Sequence, residues 1–345
     1  MGVDLGELAL KHTVSLQALC GKTVAIDAFN IIYQFLASIR QEDGTPLMDY
    51  KGNVTAHLSG LFYRNVKLME SGIRPVYVFD GKPHSLKGRV HGERSAAKKL
   101  AEQKWKEALE QEKYEDARKF AQATSRLTPE MVAESKELLQ AMGIPVVQAP
   151  SDGEAQASMM VQKGLAYATA SQDYDALMFG STVLLRNLSI TGRRKIPRQD
   201  RYVMVEPEEI ILQETLDALG LDRTGLIMLG ILLGTDFNEG VRRVGPKTAL
   251  KIVKEHRTPE KAIAYVAEKY EYRFEVDVDE VMNLFLDPPY AEPGPLRWSA
   301  LDGEAVKKIL VQRHDFTEER LDKMIDGLLK VTRERSAQSK LDQFF

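Results

Sequence analysis

Seven acidic residues carry most of the chemistry in this sequence. Asp27 closes the apolar run KTVAID, Asp80 ends PVYVFDG, Asp152 and Glu154 sit together in SDGEAQ, Asp173 and Asp175 in SQDYD, and Asp236 follows LLGT. Each falls at the end of a strand-like run, the start of a helix or the edge of a loop. Strands laid side by side would bring all seven carboxylates into one cleft. Two like charges about 4 Å apart repel by about 4 kcal/mol at an effective dielectric near 20, so such a group needs cations. All-oxygen ligands favour hard ions, with Mg²⁺ the natural choice and Mn²⁺ a substitute. Two ions about 4 Å apart would clamp the attacking water and the leaving oxygen of a phosphodiester. Taken singly, each acid is equally a helix cap or a surface charge. The tight pairs DGE and DYD argue for the set.

The elements that must position these acids alternate in type. KTVAID (22–27) reads as a buried strand, followed by a helical pattern through IIYQFLASIRQ and a DGTP turn at 43–46. Helical spacing returns over 54–71, and PVYVFDG (75–81) is a second strand. A helix over 130–142 leads into the strand IPVVQAP (144–150) and then into a helix capped by Ser151, with Asp152 and Glu154 in its first turn. LAYATA is the strand that delivers SQDYD. This alternation predicts an α/β fold with a central, mostly parallel, twisted sheet and helices on both faces, where sites form outside the carboxyl ends of the strands. Beyond Pro207 the spacing predicts helices near 207–219, 222–234, 246–256, 258–268, 304–313 and 317–331. The final TRERSAQSKLDQFF is polar apart from its last turn and is expected to be disordered by itself.

Composition narrows the function classes. With 345 residues, 43% hydrophobic and 28% charged, the chain is neither disordered, collagenous nor a disulfide scaffold. It lacks an apolar run of the roughly 18 residues a membrane span needs, and its start lacks the basic and apolar stretches of a signal peptide. Cys20 is the only cysteine, and the six histidines form no metal-binding spacing, so an intracellular chain without disulfides or zinc chemistry is expected. The net charge of −3 excludes a global basic field, which leaves nucleic-acid contact to local patches. One patch, dense in Lys and Arg between Lys82 and Lys106, directly follows Asp80 and suits a phosphate-gripping lid, although such charge runs also form solvated helix faces. A second lies in GTDFNEGVRRVGPKTALKIVKEH. There Gly240 and Gly245 bracket a tight turn, Pro246 suits a first helical position, and Arg242, Arg243, Lys247, Lys251 and Lys254 add charge. This reads as a helix-hairpin-helix that grips duplex backbone without reading sequence, a pattern that purely structural helix links also make. TGRRKIPRQDR gathers Arg193, Arg194, Lys195, Arg198 and Arg201 in one loop and reads as solvated.

Together these residues resemble the flap endonuclease family of structure-specific 5′ nucleases in its archaeal and eukaryotic form. The resemblance spans the whole chain through AIDAFNIIYQFL, GTPLMD, HLSGLFYR, VYVFDGKP, APSDGEAQA, ASQDYDALMFG, LLGTDFNEGVRRVGPK and QSKLDQFF. It implies a PIN-like 5′-nuclease fold with an N-terminal nuclease region (1–81), a helical arch (82–128), an internal nuclease region (129–235), the helix-hairpin-helix (236–257), a C-terminal helical region (258–330) and a flexible tail (331–345). It implies a two-metal, Mg²⁺-dependent enzyme with 5′–3′ exonuclease activity that cuts 5′ flaps at single-strand/duplex junctions, in Okazaki fragment maturation and repair. On the family's pattern Asp27, Asp80, Asp152 and Glu154 would serve one ion and Asp173, Asp175 and Asp236 the other. Lys87 and Arg94 would steer the scissile phosphate. Tyr33 would stack on a base, unless it is ordinary core packing, and Arg40 would add a DNA contact. A potassium ion at the hairpin would use backbone oxygens from Val241 to Val244.

In the tail, Gln338, Leu341, Phe344 and Phe345 match the family's clamp-binding pattern, a short helical turn that fills a pocket on the sliding clamp, PCNA. Branched DNA with a 5′ flap and the clamp are therefore the expected partners, with no membrane, and the chain is expected to be a monomer. Ending at Phe345, without the basic extension of eukaryotic relatives, favours an archaeal, cytoplasmic setting over a nuclear one. Two departures stand out. The family usually carries Glu where this chain has Asp152, which shortens the reach by about 1.5 Å. The arch segment HSLKGRVHGERS holds Gly88, Gly92 and Val90, poor helix formers, so an arch partly disordered without DNA is expected. The alternatives are a non-catalytic DNA-junction binder that recruits the clamp, having lost metal chemistry through Asp152, and a 5′–3′ exonuclease or bubble-cutting relative. The compact spacing from Asp80 to Asp152 argues against the bubble-cutting branch.

Overall fold

The structure, a computed structural model, describes residues 3–111, 113–190, 192–195 and 202–341. At its centre β2 (Thr23–Asp27) pairs in parallel with β3 (Arg74–Phe79) on one side and with β5 (Ala168–Ala170) on the other. Val24 and Ile26 enter one apolar core with Tyr77 and Phe79, while Ala25 enters another with Val76 and Val78. Strand alternation thus buries both faces, as a parallel sheet covered by helices requires. The sheet runs β1-β9-β6-β5-β2-β3-β4, with β1 His12–Thr13, β4 Val146–Gln148, β6 Val183–Arg186 and β9 Glu208–Ile211. The five strands from β6 to β4 are parallel, β9 runs antiparallel to β6, and β1 closes that edge antiparallel to β9.

Helices α1 (Ala28–Ser38), α2 (Ala56–Glu70) and α5 (Pro129–Ala141) cover the Ile26 face. The arch region comprises α3 (Lys87–Glu110) and α4 (Tyr114–Gln122). On the opposite face, α6 (Gly153–Gln162) packs on β2 and β3, and α7 (Asp175–Met178) leads toward α9. The second half adds α8 (Leu212–Leu219), α9 (Arg223–Leu233), α10 (Pro246–His256), α11 (Pro259–Lys269) and α12 (Val278–Leu286), which share one core. A strap through Tyr290, Leu296 and Trp298 then crosses the sheet to α13 (Gly303–Lys307), a π-helical turn over Lys308–Arg313 and α14 (Glu318–Leu341). No helix among the described residues is long and apolar enough to cross a membrane.

The α/β expectation holds, and the first local differences concern residues 207–211 and the basic loop. Residues 207–211 are not helical: EEII forms β9, because pairing with β6 and β1 outweighs the helical spacing of a four-residue run. TGRRKIPRQDR is not a simple loop, since β7 (Gly192–Lys195) pairs with β8 (Tyr202–Val205) as a hairpin, while Arg198 and Arg201 lie outside the described residues. The arch is helical from Lys87, its glycines offset by the helix-favouring AAKKLAEQ that follows. The tail is helical to Leu341. Arg335 ties it down by donating to the carbonyls of Met69, at 3.2 Å, and Glu70, at the end of α2 where the helix dipole favours a cation.

The C-terminal region is fastened by a buried polar staple. The ring of His314 faces Asp49 at 3.1 Å and Glu134 at 3.0 Å. His57, wholly buried beside Glu134, is pushed down to about 4 by burial first and by His314 second, so it stays neutral. Burial alone would raise the Asp49 carboxyl, but hydrogen bonds from Asn53, His314 and Lys51 outweigh it and hold the group at about 2. An unfolded Asp titrates near 3.9. The contribution of Asp49 is therefore complete above about pH 4 and is lost as pH falls toward 2. In urea denaturation, the stability difference between wild type and Asp49→Asn is expected to shrink toward zero between about pH 4 and 2; a constant difference would remove Asp49 as the anchor.

Candidate functional site

Four neighbouring parallel strands deliver acids to one edge of the sheet. Asp27 ends β2, Asp80 follows β3, and Asp152 and Asp173 follow β4 and β5 within a few residues. Because the chain leaves β2 in one direction toward β3 and β4 and returns on its other side as β5, this edge is the topological switch point where α/β sheets place their sites. Glu154 adds to the group from the first turn of α6, Asp175 from the start of α7 and Asp236 from the loop after α9.

The acids feel one another's charge. Burial first, then Asp80, Asp152 and Asp173, push the Asp27 carboxyl well up. Asp80 is pushed up to about 6 by burial and Asp152, against the pull of Lys87. Burial and then Asp175, Asp173, Asp27 and Asp152 raise Glu154, and burial followed by Asp236 and Asp173 brings Asp175 to about 8. All seven acids therefore lie near enough for their charges to act on this one group.

Backbone amides hold them in place. Asp27 caps α1 by accepting the N–H of Asn30 at 3.1 Å, and Asp80 accepts that of Gly153 at 2.9 Å. A side chain at Gly153 would bring its Cβ within 2.6 Å of that Asp80 oxygen, so the glycine is what permits the approach. Glu154 accepts the Ala176 N–H at 3.2 Å, joining α6 to α7, and Asp175 accepts the N–H of Val3 at 2.7 Å. The cap of α6 is Asp152 and not Ser151: its Oδ1 accepts the Ala155 N–H at 3.0 Å. Serine and aspartate both cap well, and the helix starts one residue later than the spacing suggests.

Lys87, the first residue of α3, reaches into this group. Its ammonium pairs with the second oxygen of Asp152, lies 3.9 Å from Asp236 and sits over the ring of Phe237. Burial would lower the amine, but Asp152, Asp236 and Asp80 outweigh it and raise it. As the side chains stand, no three His, Cys or carboxylate groups among the described residues meet at a single metal-binding point. The residues nonetheless fit hard divalent cations, because every donor is a carboxylate oxygen, burial and neighbouring negative charge raise Asp27, Asp80, Glu154 and Asp175, and a lysine already supplies part of the positive charge such a group calls for. Both Asp152 oxygens are engaged, so this position is the one that must rearrange most. A cavity of about 300 Å³ opens elsewhere, between β4 and residues 291–296, and none of the seven acids lines it.

The remaining expected site residues divide. Tyr33, 38% exposed, lies on α1 near enough to Asp80 for that charge to act on its hydroxyl, which burial raises most. That placement suits stacking more than core packing. Arg40 is spent internally: its guanidinium donates to Leu36 O at 3.0 Å, Gly44 O at 2.8 Å and Ser125 Oγ at 3.0 Å, bracing the turn under α4. Gly240 packs against the Leu233 carbonyl, whereas Gly245 caps α10 with open space around it. Arg242, Arg243, Lys247 and Lys251 are exposed beside it, Lys247 and Lys251 each within 3.7 Å of a glutamate. The Val241 carbonyl accepts the Val244 N–H at 3.1 Å within the hairpin. The side chains of Arg94, Gln338 and Leu341, with Phe344 and Phe345 entire, lie outside the described residues. Three site residues are invisible to a search for acids and bases: Asn30, the Val3 amide, and Gln148, whose amide donates to the Asp80 carbonyl at 2.7 Å. For Asn30 the signal is an asparagine in the first turn of a helix that an aspartate caps, a place where its helix propensity is poor.

Two family models match the chain, the XPG N-terminal domain over residues 3–101 and the XPG I-region over 143–236. The flap endonuclease 1 of Aeropyrum pernix is 51% identical, with 100% of both chains covered. Among solved structures, the flap endonuclease-1 from Methanococcus jannaschii superposes with a TM-score of 0.75 at 39% identity, covering 97% of this chain and 100% of that one. The catalytic core of Rad2 in complex with DNA substrate superposes at 0.71 with 25% identity, covering 95% and 100%.

Proposed function

This chain belongs to the flap endonuclease 1 family, a structure-specific flap nuclease that serves replication and repair, and from that membership we propose a two-ion, Mg²⁺-dependent cut at the single-strand/duplex junction of 5′-flap DNA. The observation that carries this reading is the group of seven acids at the switch point, with one lysine drawn into it. Asp27, Asp80, Asp152 and Glu154 would hold one Mg²⁺, and Asp173, Asp175 and Asp236 the other. Such ions activate water and neutralise the charge that builds on a leaving 3′ oxygen.

The protein's own residues do the rest. Lys87, held by Asp152 without DNA, turns its ammonium to the scissile phosphate, and Arg94, further along the same helix, adds a second cation for it. Tyr33 offers its exposed ring to a base next to the cut. Arg242, Arg243, Lys247 and Lys251, with the amides opening α10, hold the duplex backbone at the hairpin, where backbone oxygens from Val241 to Val244 would hold a potassium ion. Gln338, Leu341, Phe344 and Phe345 dock on PCNA, and the enzyme works as a cytoplasmic monomer with 5′–3′ exonuclease activity.

The test is cleavage of a labelled double-flap DNA with Mg²⁺ by wild type and Asp152→Glu. Wild type is expected to cut at the junction, and Asp152→Glu to match or exceed it, because the longer side chain reaches past the helix cap. Binding without cutting at any Mg²⁺ concentration, with activity gained in Asp152→Glu, would establish a junction binder instead.

A further inference from the structure

Asn30 occupies a junction that the acids alone do not explain. Its backbone N–H donates to Asp27 Oδ1 at 3.1 Å, its Nδ2 donates to Asp173 Oδ2 at 2.9 Å, and its Oδ1 accepts the N–H of Gln172 at 3.1 Å. The two ends of the amide meet partners of opposite polarity. A flipped amide would set oxygen against carboxylate and NH₂ against N–H, so a single orientation satisfies both. The loop it grips is braced from behind as well, with Arg186 Nε donating to the Gln172 carbonyl at 3.1 Å and the Asp173 N–H donating to Ser171 Oγ at 3.1 Å. Asn30 thus ties the end of β2 to the end of β5 and occupies one oxygen of each of two like-charged acids, leaving the other oxygen of each for a cation.

We infer that Asn30 is a positioning residue that sets the spacing of Asp27 against Asp173, and through it the spacing of the two cations. This rests on the two-ion reading above. Partners that orient a metal ligand contribute roughly 10- to 100-fold in metal affinity. Mn²⁺ is the probe, bound to the full chain without DNA and followed by electron paramagnetic resonance. Wild type is expected to take up two Mn²⁺ with a spin-coupled spectrum. Asn30→Ala, tolerated in a first helical turn, is expected to bind the second Mn²⁺ roughly 10- to 100-fold more weakly and to lose the coupled signal. Asn30→Leu, closer in volume, separates a lost hydrogen bond from a cavity and is expected to behave the same way. Retention of wild-type affinity and coupling in either folded variant overturns the inference. A wild-type chain that binds no Mn²⁺ pair overturns the two-ion reading and this inference together.

Discussion

Asp175→Ala is expected to bind 5′-flap DNA nearly as well as wild type and to cut it on the order of a thousandfold more slowly, the loss that follows when several kcal/mol of transition-state charge stabilisation is removed. Asp175 is 4% exposed, is fixed by the Val3 N–H and faces Asp236 and Asp173. Its removal opens little space at the surface, and it makes none of the backbone contacts expected at the hairpin. The same substitution carries an opposite signature in stability. Burial and neighbouring charge push this carboxyl up to about 8, so in the absence of cations it is a burden on the fold. In EDTA the variant should melt higher than wild type, while single-turnover cleavage in Mg²⁺ collapses. Cleavage within tenfold of wild type would remove Asp175 from the reaction.

The second large effect is on the cation-free enzyme. Asp80 titrates near 6 and Asp175 near 8, both above the roughly 3.9 of an unfolded Asp. Groups raised in this way favour the folded state fully below the unfolded value and lose that advantage as pH rises through the folded value. In EDTA the thermal midpoint should therefore fall as pH climbs from about 5 to 9, by on the order of 5–10 °C for several kcal/mol in a chain of this size. Mg²⁺ supplies the missing positive charge and should flatten the curve. Lys87→Met should steepen the fall in EDTA, because Asp152 and Asp236 then lose their ammonium, and Mg²⁺ should restore most of the difference. A midpoint in EDTA that does not change over this pH range would mean the acids are not packed as closely as described.

Much of the site is legible in the sequence because strand ends are. A run such as KTVAID has one plausible face pattern, and its terminal aspartate must leave the sheet where its neighbours' do. Less legible is whatever depends on partners far along the chain. Residues 208–211 become a strand only because β6 and β1 offer them hydrogen bonds, and α14 extends to Leu341 with Arg335 finding the end of α2. Asp152 as the cap of α6 is a one-residue choice between two good capping residues, which local spacing does not decide. Asn30 escapes because its role lies in what it touches, two acids 146 positions apart by number, 173 less 27.

The first residues of the chain have a consequence for its synthesis. Val3 holds Asp175, and β1 pairs with β9 at residues 208–209. On a ribosome that emits the chain in order, residues 12–13 cannot settle until nearly two hundred further residues have followed them. Residues 3–13 are thus made long before they find their place, and a nascent chain has no complete acid cluster until Asp236 has emerged. Cutting ability therefore arrives only after about two thirds of the chain has been made.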